Sequence, residues 1–477
     1  MRHLIAGTAA LALIAGAVPA VSAAERTVSP EARSGLALTL YADGFGLIKD
    51  RRTVELDEGG NILAFEGVSS KMIPSSALVR TDPGLTVREQ NFDFDLITPQ
   101  ALLERSVGKT VRVVRTHPTS GEDVVEEAEV LAAGNGGTVL RIGDRIETGV
   151  PGRLVFDEVP EGLRARPALL LDVESDAAAE REVQLAYLSE GLSWRAEYVA
   201  ELAPDGKTLD LGAWASLSNS TGTEFAGATV QMVAGDVQRE MRRKTLDAAP
   251  MMARANMVAA ESAGASQETL GELHLYSLPR AVTLKNNQTK QVALLSAAGV
   301  GVAREYRRER WVPDNRTRFS AQAPDVVRPQ ASLRFDNETE NGLGVPLPAG
   351  LVRVYERDAE GRLQFSGEQS TGHTAKGEDV VLSLGEAVDI GLTYTQTDYT
   401  AGGKDAPFET AQEVRLTNAK EEPVTVRVVE RFSGAAEILS ESQGHDAFSG
   451  QQAQWAVEVP AGGETVLSYR VRVSRAN

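Results

Sequence analysis

The chain of 477 residues contains no cysteine. That absence excludes disulfides, thiolate metal ligands, a cysteine nucleophile and the lipidated cysteine of a lipoprotein anchor. Aromatic residues make up only 5% of the chain, too few for the two aromatic girdles of an outer-membrane barrel. Beyond the N-terminal segment, no apolar run reaches the ~18 to 20 residues that cross a bilayer as a helix. Positive charge is scarce too: 49 Lys plus Arg stand against 67 Asp plus Glu, a formal net charge of −18. Such a surface repels nucleic acid and anionic lipid unless a local basic patch intervenes. Without disulfides stability must come from packing alone, and since complete catalytic motifs are missing, no reaction is legible in the residues.

What is there begins with residues 1–24. Arg2 and His3 precede an apolar run from Leu4 to Val18, and small residues follow through Ala20, Val21, Ser22 and Ala23. This is the layout of a cleavable secretory signal, cut after Ala23 or Ala24, and it predicts export to the periplasm or the medium. Downstream, short alternating apolar runs bounded by Gly, Asn, Asp and Pro predict antiparallel strands, as at Leu36 to Tyr41, Ala168 to Val173, Val183 to Leu188 and Val424 to Val429. The pattern reads as an all-β protein of two or three sandwich-like domains. One helix is expected, at Gln100 to Arg105, with Thr98 capping it and Pro99 in its first position. Two hairpins are expected near the C-terminus, around 418–422 and 460–463. The expected organisation is an N-terminal β domain over 30–165, with a small barrel-like insertion at 107–150, and a C-terminal β region over 166–477. An Ala- and Met-rich mobile linker at 239–270 interrupts that region. No repeat of fixed period is visible, although a strand followed by an Asn-led turn recurs at Asn219, Asn337 and Asn418.

The short motifs dissolve on inspection. Val107-Gly-Lys-Thr110 lacks the first glycine of a phosphate loop, since Leu103 stands there. Asp43-Gly-Phe-Gly46 lacks the third glycine of a dinucleotide turn, and Ser193 has Arg195 where a nucleophile elbow needs glycine. His3, His117, His274, His373 and His445 are too far apart in sequence to form a short-spaced metal motif. Asp93 and Asp95 share a strand face, which does not set two acids across a bond. Met241, Met251, Met252 and Met257 cluster in the linker without a histidine; Cu(I) binding and partner adhesion are weighed there, and incidental composition is preferred. Neither a metal nor an organic cofactor is expected.

One basic run stands out in this acidic chain, from Arg304 to Trp311. On a strand, Arg304, Tyr306, Arg308 and Arg310 share a face, presenting guanidinium donors beside an aromatic ring to carboxylates or phosphates. An edge strand whose charges discourage pairing is the plainer reading of the same residues.

Several phrases carry a resemblance. They are Leu185-Ala-Tyr-Leu-Ser-Glu-Gly-Leu-Ser-Trp-Arg-Ala-Glu-Tyr198, Gly212-Ala-Trp-Ala-Ser-Leu-Ser-Asn-Ser-Thr-Gly222, Val233-Ala-Gly-Asp236, the run Asn341 to Tyr355, and His373 to Asp379 with Leu384-Gly385. Together they resemble a bacterial secreted family known only as a domain of unknown function and related to the mucoidy inhibitor A-like proteins. The resemblance implies no transferable catalytic set; the mucoidy name implies an effect on exopolysaccharide output. The longer relatives carry a coiled coil for which Glu158 to Pro167 leaves no room. Within the phrases, Trp194 and Tyr198 are expected to anchor a core from one strand face. Asn219, Gly222 and Gly235 are expected at positive-φ turn positions, and Arg353, His373 and Glu378 form a candidate polar site.

These readings lead to an exported, non-catalytic β protein that binds or assembles at the cell envelope, its partner an acidic polysaccharide or another envelope protein. A polysaccharide-cleaving enzyme with dispersed carboxylates, Glu378 among them, and a protein-assembly module are the alternatives.

Overall fold

A computed structural model describes residues 25–134, 137–160, 162–235, 237, 266–270, 273–315, 325–402 and 406–475. Residues 1–24, where a secretory signal was expected, and nearly all of the expected linker lie outside the described residues. Within the linker range, Ser266–Leu270 is a strand, paired antiparallel with Leu273–Ser277. Almost every described element is a strand, and the expected helix is present at Pro99–Glu104, where Thr98 Oγ1 accepts from the Ala101 amide at 3.0 Å.

The chain forms two compact units that do not follow the expected boundary at 165/166. The first comprises Met1–Leu38, Gly46–Gly191 and Ser220–Ala228. Its four-stranded sheet runs Glu25–Val28, Gly59–Glu66, Ala168–Ser175, Leu85–Asp93. Ala168–Ser175 is therefore a central strand of this unit, not the start of a C-terminal domain: its apolar residues pair with Gly59–Glu66 on one side and Leu85–Asp93 on the other. A buried ion pair lies inside, where Arg52 Nη2 meets Asp50 Oδ2 at 2.7 Å and Arg52 Nη1 donates to the Val28 and Glu66 carbonyls. The insertion is an antiparallel five-stranded sheet ordered Arg145–Thr148, Gly137–Ile142, Asp123–Gly134, Thr110–Thr116, Arg153–Val155, packed on Val111, Val113, Val130 and Leu140. Its two edge strands do not pair with each other, so it stays an open sheet where a barrel-like insertion was expected.

The second unit comprises Thr39–Phe45, Leu192–Asn219 and Thr229–Asn477. One of its sheets has five strands, in the order Gln288–Gly301, Thr208–Asn219, Leu192–Leu202, Gly350–Arg357, Leu363–Thr371. Trp194 and Tyr198 are buried on one face of Leu192–Leu202, as their spacing predicts, and their polar tips reach the Val233 and Pro348 carbonyls at 2.8 and 2.7 Å. A sandwich completes the unit. Its six-stranded sheet is ordered Asp379–Glu386, Gln330–Asp336, Ala303–Trp311, Val424–Arg431, Gln452–Val459, Ala447–Phe448. The four-stranded sheet is ordered Ile390–Thr400, Phe408–Asn418, Glu464–Arg475, Gly434–Glu441. Both feed one core around Trp455, Phe408, Val426, Val428 and Val471.

Neither expected C-terminal hairpin forms. Phe408–Asn418 and Val424–Arg431 lie in opposite sheets of the sandwich, as do Gln452–Val459 and Glu464–Arg475, so both short loops are corners between sheets. A short loop between alternating runs fits either geometry, and what decides here is that the runs face one core from opposite sides. Asn418 ties the two corners together: its Nδ2 donates to the Glu422 and Pro460 carbonyls at 2.8 and 3.1 Å, and its backbone amide to Gly463 O at 2.9 Å.

The other two recurring asparagines do the same work. Asn337 is fully buried; its Nδ2 donates to Val345 O and Ala375 O at 2.8 and 2.9 Å and its Oδ1 accepts from the Gly344 amide. Gly344 has φ +75°, and a side chain there would also strike Thr339, which explains the glycine in that phrase. Asn219 Nδ2 donates to Leu284 O at 3.0 Å. It is an extended strand residue and not the positive-φ turn position expected, whereas Gly222 and Gly235 do have positive φ.

Replacing Asn337 by Ala removes its hydrogen bonds to the Val345 and Ala375 carbonyls and leaves the buried Gly344 amide without its Oδ1 acceptor, and is expected to cost about 2 to 4 kcal/mol in urea unfolding. A cost under about 1 kcal/mol would refute the clamp. A second expectation concerns acid. The indole N–H of Trp455 donates to Glu441 Oε2 at 2.9 Å, and His445 Nδ1 lies 3.1 Å from both Glu441 oxygens. Burial pushes the Glu441 carboxyl up, but the Trp455 and His445 hydrogen bonds outweigh it and the group is held below its ordinary range. Its stabilising contribution is thus present above that range and lost as pH falls through it. Between about pH 5 and pH 3 the parent protein should lose more stability than Glu441→Gln, read from melting temperatures.

Candidate functional site

Strand Ala303–Trp311 pairs parallel with Val424–Arg431, setting Tyr306 opposite Val426, Arg308 opposite Val428 and Arg310 opposite Glu430. Because Val426 and Val428 belong to the sandwich core, the even-numbered residues turn with them toward the interior. The face expected to offer donors to a polyanion is thus largely consumed inside the protein. Tyr306 is 4% exposed within the core. Arg310 Nε donates to both oxygens of fully buried Glu430 at 3.0 and 2.9 Å, its Nη2 donates to Gln412, and its guanidinium stacks 3.7 Å from the Tyr394 ring centroid. Burial would lower the Arg310 pKa, yet the Glu430 charge more than reverses this and keeps the guanidinium protonated. Arg304 Nη2 is held by both oxygens of Glu356 at 3.0 and 3.1 Å. Arg308 differs: its hydrogen bond is from Nη1 to the Arg328 carbonyl at 3.0 Å, and the nearest carboxylate, Glu386, is 3.9 Å away.

The odd-numbered residues form the outer face. Arg307 pairs with Glu309 at 3.1 Å, Glu309 also with Arg431, and Glu305 with Arg427 and Arg334. Trp311 closes the row, 64% exposed, with the Arg431 guanidinium 6.0 Å from its ring.

Beside this row lies an open cleft of about 440 Å³, lined by Arg307, Arg308, Glu309, Gln330, Ser332, Gln369, Val381, Ser383 and Glu386. Four strands build it: Ala303–Trp311, Gln330–Asp336, Asp379–Glu386 and Leu363–Thr371. Backbone pairing fixes three of them together, and the side chains lock the fourth. Gln330 Nε2 donates to Ser383 Oγ and Gly385 O at 2.6 and 2.8 Å, while the Ser383 amide donates to Gln369 Oε1 at 2.6 Å. Burial pushes Glu309 up, but the Arg307 hydrogen bond and the charges of Arg431 and Arg307 prevail and hold it below its ordinary range. Sequence reasoning missed Gln330, Gln369, Ser383 and Glu386, which lie on three strands with no shared motif. Of these only Ser383 carries a signal, a polar position directly after the core residue Leu382.

No contact joins the other three candidates. Arg353 pairs with Glu368 at 3.3 Å, His373 Nδ1 accepts from the Ala349 amide at 3.1 Å, and Glu378 Oε2 accepts from the Ala375 amide at 2.8 Å. His373 and Glu378 thus fasten the loops around Asn337. His274, lowered first by burial and then by the charge of His373, is a neighbour that the sequence did not reveal. Among the described residues, no group of three or more His, Cys, Asp or Glu could hold a metal ion, and no helix is long and apolar enough to cross a membrane.

Fold and cleft together define an all-β protein of mostly antiparallel sheets with an open polar cleft beside the strand Ala303–Trp311. The chain belongs to the family described as a domain of unknown function, DUF4139, whose model matches residues 183–476. No curated protein matches the chain.

The Arg310–Glu430 pair gives a direct test of the inward assignment. Arg310→Met strands a buried carboxylate and is expected to cost about 3 to 5 kcal/mol, most of which the double variant Arg310→Met with Glu430→Leu recovers. A cost near zero for the single variant, in chemical denaturation, would return Arg310 to the surface.

Proposed function

We propose that this protein is exported and acts without catalysis, as a binding module of the cell envelope whose ligand is a polysaccharide. The observation that carries the reading is the cleft bounded by Arg307, Gln330, Gln369 and Ser383. It combines amide, hydroxyl and guanidinium groups on strands fixed by their own pairing, which suits recognition of a hydroxyl-rich polymer with little reorganisation. The N-terminal segment supports export, and kinship with mucoidy inhibitor A-like proteins, part of the same proposal, agrees with exopolysaccharide as the polymer. The cleaving alternative is weaker. A glycosidase needs one carboxyl that keeps its proton beside another that does not; Glu309 is held ionised, and Glu378 accepts from a backbone amide in a turn. The assembly alternative keeps one support, the edge strand Leu363–Thr371, on which Leu363 and Phe365 are 46% and 57% exposed.

Size-exclusion chromatography with light scattering, on the processed protein mixed with exopolysaccharide from its producing organism, tests this at mixing and after overnight incubation. Co-elution with unchanged polymer mass is expected. Independent elution overturns the proposal, and a falling polymer mass replaces it with the cleaving enzyme.

A further inference from the structure

We propose that the solvent-facing side of the five-stranded sheet binds an uncharged polysaccharide chain, one pyranose ring of which stacks on Trp214. This site is separate from the cleft and does not depend on it. On Leu363–Thr371, Gln369 lies opposite buried Val352 and reaches the cleft from the inner side, whereas Glu368 lies opposite Arg353 on the outer one.

Alternation places the site. Trp194, Tyr198, Ala213 and Ala215 are buried on one face of Leu192–Leu202 and Thr208–Asn219, which leaves Val199, Gly212 and Trp214 on the other. There Trp214 stands opposite Glu197 and Gly212 opposite Val199. Of the four tryptophans, Trp194 and Trp455 are buried with their indole N–H groups bonded, and Trp311 has the Arg431 guanidinium near its ring. Trp214 is 44% exposed and has no ring or cation partner among the described residues.

Gly212 is an independent pointer to a ligand. It lies mid-strand, is not among the glycines of positive φ, and a Cβ built on it would meet nothing within 4 Å. Neither backbone conformation nor packing calls for glycine there, although glycine weakens a strand. What the missing side chain does is keep clear the space beside the indole, two residues along the same face, where a flat ring can lie.

Charge and polarity select the occupant. The guanidiniums of this face are each met by a carboxylate: Arg195 by Glu197 at 3.0 Å, Arg353 by Glu368 at 3.3 Å, and Arg357 by Glu201. Asp210, opposite Glu201, adds a further acid, so the face repels anions. A protein docking flat on it would bury those ion pairs at a cost. A sugar chain avoids them, because a path from Trp214 past Val199 to Tyr355 runs between Arg353–Glu368 on one side and Arg357–Glu201 on the other. Tyr355 is two strands over and four residues along from Trp214, about 16 Å by strand spacing and rise, and its ring lies 5.8 Å from that of Phe365. Beside the indole, Glu197 accepts from Ser216 Oγ and Gln291 Nε2, both at 2.7 Å, and from Arg195. The Ser216 bond foremost, with those of Arg195 and Gln291, outweighs burial and holds this carboxyl below its ordinary range. These groups are thus fixed before a ligand arrives, and sugar hydroxyls, which both donate and accept, suit them.

Calorimetric titration of the full processed chain with cellohexaose, maltohexaose and chitohexaose, three uncharged probes, tests this, with tryptophan emission recorded in parallel. At least one is expected to bind and to shift the emission. Trp214→Ala should weaken that probe about thirtyfold or more, the loss typical of a central tryptophan in a binding surface. Gly212→Thr should raise the melting temperature by about 2 °C or more, since a β-branched residue replaces a strand glycine, and yet weaken the same probe about tenfold. Lost binding in a more stable protein cannot come from misfolding. Binding of none of the three, undiminished binding in either variant, or a lower melting temperature for Gly212→Thr overturns the assignment. So does a dimer, seen by light scattering, that Trp214→Ala dissociates, because the face then belongs to a second copy. If the probes fail while exopolysaccharide still co-elutes, the cleft reading survives alone; if a probe binds through Trp214 and the polymer does not co-elute, this site stands without it.

Discussion

A sheet satisfies its backbone through its neighbours, but where a strand ends, the next amides and carbonyls must find partners or lie buried without them. A chain without cysteine cannot staple its loops covalently, so side-chain amides take on that task here. Asn219, Asn337 and Asn418 are each buried at or just past the end of a strand; Asn337 and Asn418 donate to loop carbonyls, and Asn219 to the carbonyl of Leu284 at the end of a short strand. Asn418 holds two inter-sheet corners side by side, and through them fixes how the two sheets of the sandwich meet. Asn337 fastens the loops on either side of Gly350–Arg357 and Leu363–Thr371, two strands next to the cleft or part of it. An amide with two donors and an acceptor suits these junctions better than a carboxylate, which could only accept.

The strands were legible because their alternation is strong, and the helix was legible because Thr98 and Pro99 mark its start. What alternation cannot reveal is which sheet a strand joins. Phe408–Asn418 and Val424–Arg431 read as a hairpin because the loop between them is short; only the burial of both runs against one core separates them into two sheets. The basic strand failed for a related reason. Neither Arg304, Tyr306, Arg308 and Arg310 nor Glu305, Arg307, Glu309 and Trp311 is apolar, so the pattern carries no inward signal of its own. The inward face is dictated by Val426 and Val428 on the partner strand, more than a hundred residues away in sequence. Glu430, which neutralises Arg310, is equally remote.

The same remoteness explains the cleft. Its groups come from four strands, and none is unusual where it stands: a serine or glutamine on the outer face of a sheet is the commonest kind of surface residue. They become a site only once Gln330, Ser383 and Gln369 are joined by their hydrogen bonds. The family phrases, by contrast, resolve largely into architecture. Trp194 ties its strand to the strand bearing Val233, and Tyr198, Gly344 and His373 serve the loops around Pro348 and Asn337, so what makes the chain recognisable is chiefly the frame, and the groups lining its cleft lie outside those phrases.

The parallel pairings set the order of assembly. Ala303–Trp311 lies beside Val424–Arg431, and Leu192–Leu202 beside Gly350–Arg357, each pair bridged by a long intervening stretch. Closing loops of that length is entropically costly before any contact repays it, and folds dominated by such pairings form slowly. A chain emerging from its N-terminus therefore carries Leu192–Leu202 with one edge open until Gly350–Arg357 arrives, and Ala303–Trp311 until Val424–Arg431 arrives. That places the protein among those whose yield depends on how long unpaired edges stay exposed, and makes the Arg- and Glu-rich outer face of Ala303–Trp311 a guard against mispairing during that interval.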